Sequence, residues 1–326
     1  MYLYCGENRQ DPATIVRLER QAEQAGIAVV KVFDSHGLRV MDKMSEGRPH
    51  NGCIIEASPI PQLPLKSLGA VVEEPARGFN VARAHQSLEE AQINGISDFI
   101  ESSFPPNRKP FFLLLDQIQD PGNLGAILRS AAFLGVNAVG MTSTNSASLT
   151  STAIKAAAGA SEVLNLFNVV SILDFLTRSK EEGWVIYAAV APTSRPRQSK
   201  HLMLDRLDSY DPLSTTPTIL VVGSEGEGLT NKTKRMADYE VSIPNHSENP
   251  LMDSLNVSVA TGILCSAFLK KQHTDGKFDN LFEINEDVSE DIIEDKSEDI
   301  VEDQSEDIVE DKPEDTPEDK PDVLII

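Results

Sequence analysis

A continuous apolar run at residues 111–115, Phe-Phe-Leu-Leu-Leu, is the strongest pattern in the chain. Five consecutive apolar residues predict a strand that is buried on both faces of a parallel sheet. After it, segments with apolar residues at helical spacing alternate with short strand-like runs, which predicts a doubly wound α/β domain. The predicted helices are 124–134, 151–158, 172–182 and 255–271, and the predicted further strands are 138–141, 184–189 and 218–222.

The first part of the chain shows a shorter alternation of the same kind. Residues 11–26 carry apolar side chains at helical spacing and end in a glycine, which predicts an amphipathic helix. Residues 27–33 are strand-like, and a His-Asn-Gly turn signal at 50–52 leads into a second predicted strand at 53–57. We therefore predict a small α/β domain over residues 1–96.

Two changes in composition divide the rest of the chain. A polar segment with three prolines, 97–110, predicts a linker before the larger domain at 111–272. Residues 273–326 are acidic: from residue 281 to the end there are 20 of the 51 acidic residues but only 3 of the 29 basic ones. Like charge and few apolar residues cannot offset the entropy of ordering a chain, so we predict a disordered tail.

The tail accounts for most of the net charge of −22, because the first 280 residues carry only −5. The body of the protein is therefore near neutral, and its charge does not exclude a nucleic-acid partner. Four eight-residue units, the first reading SEDIIEDK, repeat between residues 289 and 320. A helical or partner-binding segment, or a polyanion that binds basic proteins, is the alternative interpretation of this tail.

Three cysteines without a CxxC pair argue against a disulfide framework and a structural zinc site, and we expect no metal. The most apolar helical stretch, 257–269, is shorter than the roughly 20 residues that span a bilayer, so we expect no membrane association. No targeting peptide is visible. The chain opens abruptly on a strand-like Tyr-Leu-Tyr at 2–4, which is compatible with residues preceding it in the natural protein.

Candidate chemistry lies in three polar segments, two of them directly after predicted strands. They read DQIQDPGNLGAILR at 116–129, GSEGEGL at 223–229 and SLNVSVAT at 254–261. In open α/β sheets, ligands bind beyond the carboxyl ends of the strands. For each segment an ordinary structural role stays open. Arg129 suits a helix surface, the three glycines suit a tight turn, and Asn256 suits a helix N-cap.

Two common nucleotide-binding classes are disfavoured by what these segments lack. No GxGxxG follows the strand that ends at Leu115, so a dinucleotide-binding dehydrogenase or a Rossmann-type methyltransferase is the weaker hypothesis. No GK[ST] follows the glycines after Val222, so this is not a Walker phosphate loop.

In order, DPGNLGAILRSA, GSEGEGL and SLNVSVA resemble the three signature motifs of the SpoU/TrmH (SPOUT superfamily) RNA 2′-O-ribose methyltransferases. The resemblance covers residues 111–271, and the His-Asn-Gly-Cys at 50–53 is similar to the HQG signature of the family's small RNA-binding domain. The Asn variant of that signature favours the fungal mitochondrial branch that modifies large-subunit rRNA.

The resemblance implies a trefoil-knotted fold, S-adenosylmethionine as the cofactor, RNA as the substrate and a homodimer. It makes Arg129 the catalytic residue, with Asn123 and Glu225 orienting Arg129 and the target ribose. It assigns the cofactor to six positions. These are Gly223, Gly228, Ile243, Ser254, Leu255 and Asn256.

We therefore expect 2′-O-methylation of a guanosine in mitochondrial large-subunit rRNA and a mitochondrial location, with a cytoplasmic location as the alternative. A tRNA 2′-O-methyltransferase and a catalytically silent knotted protein that assists ribosome assembly are the alternatives. Two departures from the family pattern qualify the match. The loop 245–253 is longer than usual, and Ala157 stands where the family often carries a serine, so no contact is assigned there.

Overall fold

The computed structural model describes residues 1–6, 12–45, 49–192, 201–207, 210–247 and 254–270. The predicted acidic tail 273–326 lies outside the described residues, and so does most of the unusually long loop 245–253.

A small sheet of three short strands forms the N-terminal part. Its elements are β1 (Tyr2–Tyr4), α1 (Pro12–Gln24), β2 (Val30–Val32), α2 (Ser35–Met44) and β3 (Cys53–Ile54). The strand order is β2-β1-β3, with β1 parallel to β2 and antiparallel to β3. The predicted helix and both predicted strands are present, although the strands are shorter than the β-branched runs suggested.

The predicted turn at residues 50–52 is confirmed, and its chemistry explains the residues. Asn51 and Gly52 have φ of 48° and 76°, the left-handed region that Asn and Gly tolerate best. His50 accepts a hydrogen bond from the Gly52 N–H at Nδ1 (3.1 Å), and its Nε2 lies 3.1 Å from a carboxylate oxygen of Asp42. The imidazole thus locks the turn to helix α2.

The remaining elements build one large sheet with helices around it. In chain order they begin with β4 (Leu63–Val72), β5 (Gly78–Arg83), α3 (Leu88–Asn94), β6 (Phe99–Glu101), β7 (Phe111–Leu115), α4 (Pro121–Leu134), β8 (Ala138–Thr142), α5 (Ser151–Ala157) and α6 (Ala160–Val163). They continue with β9 (Leu166–Val169), α7 (Ile172–Glu181), β10 (Val185–Ala189), β11 (His201–Met203), α8 (Leu204–Leu207), a 3₁₀ turn (Pro212–Ser214), β12 (Thr218–Val222), α9 (Asn231–Met236), β13 (Tyr239–Ser242) and α10 (Val257–Leu269).

The sheet is mostly parallel, as predicted. Its order is β11-β13-β10-β12-β7-β8-β9-β4-β5-β6, and among the described strand pairs only β4–β5 and β5–β6 are antiparallel. Strand β12 enters late in the chain yet lies between β10 and β7. The carboxyl ends of β10, β12 and β7 therefore meet at one edge of the sheet, where their loops can form a common site.

Strand β7 is the centre of the core and packs on both faces, which confirms the prediction from its apolar run. All five of its residues are buried. On one face Phe111 stacks on Phe268 of α10, with ring centroids 5.2 Å apart. On the other face Phe112 meets the edge of Trp184 at 6.5 Å. Such two-sided burial is what a central parallel strand requires.

Two helices around this strand begin at residues other than those predicted, for reasons of capping. Helix α4 starts at Pro121 because the Asp120 carboxylate accepts a hydrogen bond from the Asn123 N–H (2.7 Å), and a proline fits the first turn. Helix α10 starts only at Val257 because Asn256 is its N-cap. Apolar periodicity alone does not locate such starts.

Residues 63–101 depart most from the predicted organisation. The sequence placed them in the small domain and the linker, but β4 pairs in parallel with β9, so they extend the large sheet. The indole N–H of Trp184 donates to the Gly69 carbonyl (2.8 Å), which fastens β4 to the larger core. Strand β6 lies inside the segment 97–110 that was predicted as a linker, because its backbone pairs with β5.

Candidate active site

A cavity of about 640 Å³ lies beyond the carboxyl ends of β10, β12 and β13. This is the position at which open α/β sheets bind ligands. Five of the six residues predicted to contact the cofactor line it, and Asn256 is the exception. They are Gly223, Gly228, Ile243, Ser254 and Leu255. Apolar side chains from the sheet and from helix α10, such as Val222 and Leu264, complete the wall.

The loop 223–229 folds back on itself, and two of its glycines are needed for that. A Cβ at Gly223 would lie 2.5 Å from the backbone of Gly228 and of Leu229, closer than any real contact. Gly228 has φ of +64°, and its N–H donates to the Ser224 carbonyl at 3.0 Å. The tight-turn interpretation is therefore correct for both, and the turn brings the loop's backbone to the cavity wall.

Gly226 differs from its neighbours in the loop. A Cβ there would meet no atom within 4 Å, and its φ is outside the left-handed region. The fold itself therefore does not demand a glycine at this position. Since Gly226 also lines the cavity, its bare backbone leaves room for a ligand to approach closely.

One residue from each of the three motif segments meets in a hydrogen-bond network at this edge. The Asn123 side-chain amide donates to the Glu225 carboxylate. The Asn256 amide donates to the same Glu225 oxygen (3.2 Å) and to the Asn123 carbonyl oxygen (3.1 Å). Glu225 also lines the cavity, so the network forms part of its rim.

Asn256 joins this network to helix α10. Its side-chain oxygen accepts from the N–H of Ser258 (2.9 Å) and of Val259 (3.4 Å), the donors that a helix start leaves unpaired. Its side-chain amide nitrogen donates hydrogen bonds to Asn123 and Glu225. The capping interpretation of Asn256 is therefore correct, and it is compatible with a functional role, because one side chain both caps α10 and binds Asn123 and Glu225.

Arg129 stands apart from the network. It lies six residues after Asn123 on α4, or about one and two-thirds turns, which places the two side chains on different sides of the helix. Arg129 is exposed, does not line the cavity, and has no hydrogen bond or ion pair to any described residue. One turn further along the same face, Phe133 is 90% exposed.

Gly125, the second glycine of the first motif, is explained by packing. A Cβ at this position would lie 2.3 Å from the Ala153 carbonyl oxygen and 2.5 Å from the Ala156 side chain. The glycine therefore lets α4 and α5 approach closely, which holds the helix that carries Asn123 and Arg129.

Asp116 is a buried carboxyl group at the same edge of the sheet, and it was not predicted as a site residue from the sequence. It follows β7 directly, and its side chain accepts a hydrogen bond from the Thr142 hydroxyl at 3.4 Å. Burial raises the pKa of the Asp116 carboxyl above its usual 3.8, although hydrogen bonds from Gln117 and Thr142 oppose the shift. Its position directly after the apolar run 111–115 is the sequence signal that could have identified it.

Several other residues that line the cavity were not predicted from the sequence. Residues 189–192 do so because β10 ends at the same edge as β12, which the parallel order of the predicted strands could have indicated. Lys234 of α9 and His246 carried no such signal, because their neighbours along the chain are also polar.

Two further properties concern only the part of the chain that the structure covers. No group of three or more His, Cys, Asp or Glu side chains is placed to hold a metal ion among the described residues. Within the same ranges, no helix combines the length and apolar character needed to cross a membrane.

The fold and the cavity define the class: a parallel α/β protein with a ligand site formed by loops at the carboxyl ends of its central strands. Residues 110–266 match the model of the SpoU rRNA Methylase family. The chain is 32% identical to rRNA methyltransferase 1, mitochondrial, of Schizosaccharomyces pombe, over 69% of this chain and 70% of that protein. It is 36% identical to the Escherichia coli 23S rRNA (guanosine-2′-O-)-methyltransferase RlmB, over 65% and 77%. The chain belongs to the SpoU rRNA methylase family, as its motifs predicted.

The match to other relatives covers less of their length. The Saccharomyces cerevisiae rRNA methyltransferase 1, mitochondrial, is 32% identical over 73% of this chain but only 58% of its own length.

Among solved structures, the SpoU methyltransferase AviRb from Streptomyces viridochromogenes in complex with AdoMet aligns with a TM-score of 0.49 at 18% identity, over 84% of this chain and 83% of that one.

Proposed function

We propose that this protein transfers a methyl group from S-adenosylmethionine to the ribose 2′-hydroxyl of a guanosine in mitochondrial large-subunit rRNA. The observation that carries the proposal is the network of Asn123, Glu225 and Asn256 on the rim of the cavity. Names of relatives support the details. RlmB is a guanosine-2′-O-methyltransferase of 23S rRNA, and the yeast and human relatives are mitochondrial rRNA methyltransferases.

The cavity fits the proposed cofactor in size and chemistry. Its volume of about 640 Å³ falls within the roughly 300–1,000 Å³ typical of small-molecule sites. Apolar walls at Ile243, Leu255 and Leu264 suit an adenosine ring, and the bare backbone at Gly226 suits close approach of a ligand. Bound S-adenosylmethionine would supply a methyl group already activated on a sulfonium.

The protein's own residues then have to align and stabilise a weakly acidic hydroxyl. We assign that work to Arg129, which carries a permanent charge because a guanidinium keeps its proton at any physiological pH and is a poor base. An exposed guanidinium without a partner among the described residues is available to hold a phosphate beside the target. Because Arg129 does not line the cavity of its own chain, it would stabilise the developing 2′-oxyanion at the cavity of the partner subunit in a homodimer.

Asn123 and Glu225 position the ribose in this proposal. The family resemblance also implied that they orient Arg129, but their described hydrogen bonds run to each other and to Asn256. We therefore assign them to the substrate side of the cavity. Fixed polar groups there reduce the entropy lost in aligning the reacting atoms.

We further propose a homodimer that packs through α4 and α10. Phe133 on α4 is 90% exposed, and Val259 and Ile263 on α10 are 50% and 37% exposed, an apolar surface beside Arg129. The two helices also contact each other, since a Cβ at Gly262 would lie 3.8 Å from Ser130. Light scattering on the Phe133→Glu variant should show a monomer, whereas an unchanged dimer would contradict this surface.

Two other parts of the proposal concern architecture. A trefoil knot is supported by strand β12, which enters late and lies between β10 and β7. Residues 1–96 are proposed to bind RNA beside the catalytic residues 111–272, and residues 99–101 of the predicted linker 97–110 form strand β6 of the large sheet. The Lys155 ammonium donates to the Pro49 carbonyl (2.9 Å), so the turn before β3 already touches the catalytic domain.

Labelled methyl transfer tests the function. The full chain with tritiated S-adenosylmethionine should label a mitochondrial large-subunit rRNA transcript, and the Glu225→Gln variant should label it far more slowly. Preferential labelling of tRNA would favour the tRNA alternative. Cofactor binding without transfer to any RNA would favour a silent assembly factor and would contradict the proposal.

A further inference from the structure

Four ionisable side chains line the cavity within the described part of the chain: Glu225, Glu227, Lys234 and His246. Two of them are carboxylates, and Glu225 is already engaged by two side-chain amides. An imidazole is positive only when it is protonated, so His246 is not a permanent counter-ion for an anionic ligand.

Lys234 therefore carries the one permanent positive charge among these four side chains. It is half-buried on α9, and its ammonium has no hydrogen bond or ion pair to any residue in the described ranges. A cation that borders a cavity in this way is available to an anionic group of the ligand that enters it.

Backbone N–H groups at the start of a helix can also bind a negatively charged group, but at this site those N–H groups already have hydrogen-bond partners. Helix α10 begins beside the cavity, but the N–H groups of Ser258 and Val259 at its start are bonded to the Asn256 side chain. The short helix α9 is capped in the same way, with the Thr233 N–H bonded to the Thr230 hydroxyl (3.2 Å). A carboxylate that enters the cavity is thus left with Lys234 as its cationic partner among the described residues.

We propose that Lys234 binds the α-carboxylate of the amino-acid portion of S-adenosylmethionine. The inference rests on the proposed function, and it adds a positioning residue that none of the three motif segments contains. An ammonium–carboxylate pair in a half-buried site is a charge-assisted hydrogen bond, stronger than a neutral one. It would fix the amino-acid end of the cofactor at α9, whereas Asn123, Glu225 and Asn256 of the network belong to α4, the loop 223–229 and the start of α10.

The test is a binding cycle with two ligands that differ in one group. S-adenosylmethionine and its decarboxylated form share every heavy atom except those of the carboxylate, so titration calorimetry on both isolates that group. Lys234→Gln should weaken binding of S-adenosylmethionine by about tenfold, and by less at high salt because the pair is partly exposed. The same variant should leave the affinity for the decarboxylated ligand unchanged.

Lys232→Gln is the matched control, because Lys232 lies on the same helix but is exposed and does not line the cavity. It should change neither affinity, and Lys234→Arg should restore most of the binding of S-adenosylmethionine. Equal weakening of both ligands by Lys234→Gln would make Lys234 a structural residue and overturn the inference.

Two further outcomes separate the inference from the function on which it rests. Arg195 and Arg197 lie outside the described residues, shortly after the cavity-lining Pro192. A loss of carboxylate recognition confined to their double glutamine variant would overturn the role of Lys234. Failure of the unmodified protein to bind either ligand would instead contradict the proposed function.

Discussion

The hydrogen-bond network differs from the surface around Arg129, although Asn123 of the network and Arg129 lie on the same helix, α4. The side chains of the network have their hydrogen-bond partners within the chain, whereas Arg129 has none among the described residues. The network is closed: each of its three side chains is hydrogen-bonded within one chain, and Asn256 is tied to α10 as well. Arg129 is exposed on the other side of α4, beside apolar Phe133. One region is preorganised, and the other presents a charge and an apolar surface to the outside.

We infer from this difference that the network and Arg129 contribute to the reaction in different ways. Groups that are fixed before binding can align a reactant without reorganising, which favours the cofactor and the ribose at the network. An exposed guanidinium beside an apolar surface can form its hydrogen bonds with another molecule, either a phosphate of RNA or a second subunit. Substitutions confined to one region or the other can separate these two contributions.

The largest effect is expected at Arg129. Arg129→Ala should reduce single-turnover methyl transfer by about a thousandfold, the range found when one stabilising donor is removed from a transition state. The affinity for S-adenosylmethionine and the melting temperature should stay close to their original values, because Arg129 touches neither the cavity nor the core. Calorimetry and rapid-quench methylation check both parts. A parallel collapse of cofactor binding would make Arg129 a structural residue.

A pair of glycine variants should produce the next largest effect. Gly223→Ala inserts a methyl group 2.5 Å from backbone atoms of the same loop, so the loop must shift and cofactor affinity should fall at least about tenfold. Gly226→Ala meets open space and should leave the unfolding free energy unchanged. A drop in cofactor affinity in Gly226→Ala, with unaltered stability, would indicate that the ligand approaches that backbone.

Asn256 offers a way to separate helix capping from the network. Asn256→Ala should lower the unfolding free energy by about 1 kcal/mol, the usual loss of an N-cap. Asn256→Ser keeps an acceptor for the start of α10 but removes the amide that binds Glu225, so it should retain most of the stability. Methylation should fall in both variants. Full activity in Asn256→Ser would show that only the cap matters.

The smallest effect is expected at Asp116 and depends on pH. Because burial raises the pKa of Asp116, the folded protein holds this proton more tightly than the unfolded chain does. Its contribution to stability is therefore lost as pH rises from about the usual 3.8 through the higher folded pKa. Asp116→Asn removes this dependence. Urea unfolding of both proteins from about pH 4 to 7 should show the variant gaining relative stability as pH rises. A constant difference would contradict the assignment.

The elements that frame the site could be predicted from sequence because their patterns are local. Phe111–Leu115 and Thr218–Val222 match their predicted bounds, since uninterrupted apolar runs suit strands buried on both faces. The motif segments were likewise placed correctly at the sheet edge. The order of parallel strands brings their loops together whatever the loop conformation.

What could not be predicted depends on partners that are distant in the chain. Strand β4 contains Pro64, Lys66 and Gly69, which weaken a strand pattern, and it forms because β9 and β5 supply its hydrogen bonds. Lys234 gains its place at the cavity only from the position of α9. The separation of Arg129 from Asn123 could be predicted from helix geometry. The hydrogen bonds among Asn123, Glu225 and Asn256 could not, because these residues lie far apart in the chain.

The identity of the product nucleoside decides whether the proposed reaction is correct. Mitochondrial large-subunit rRNA methylated by the purified full chain would be digested to nucleosides and analysed by mass spectrometry, with Arg129→Ala in parallel. We expect 2′-O-methylguanosine as the new nucleoside with the unmodified protein, and only a trace with the variant. A methyl group on a base, or equal yields from both proteins, would contradict the proposal.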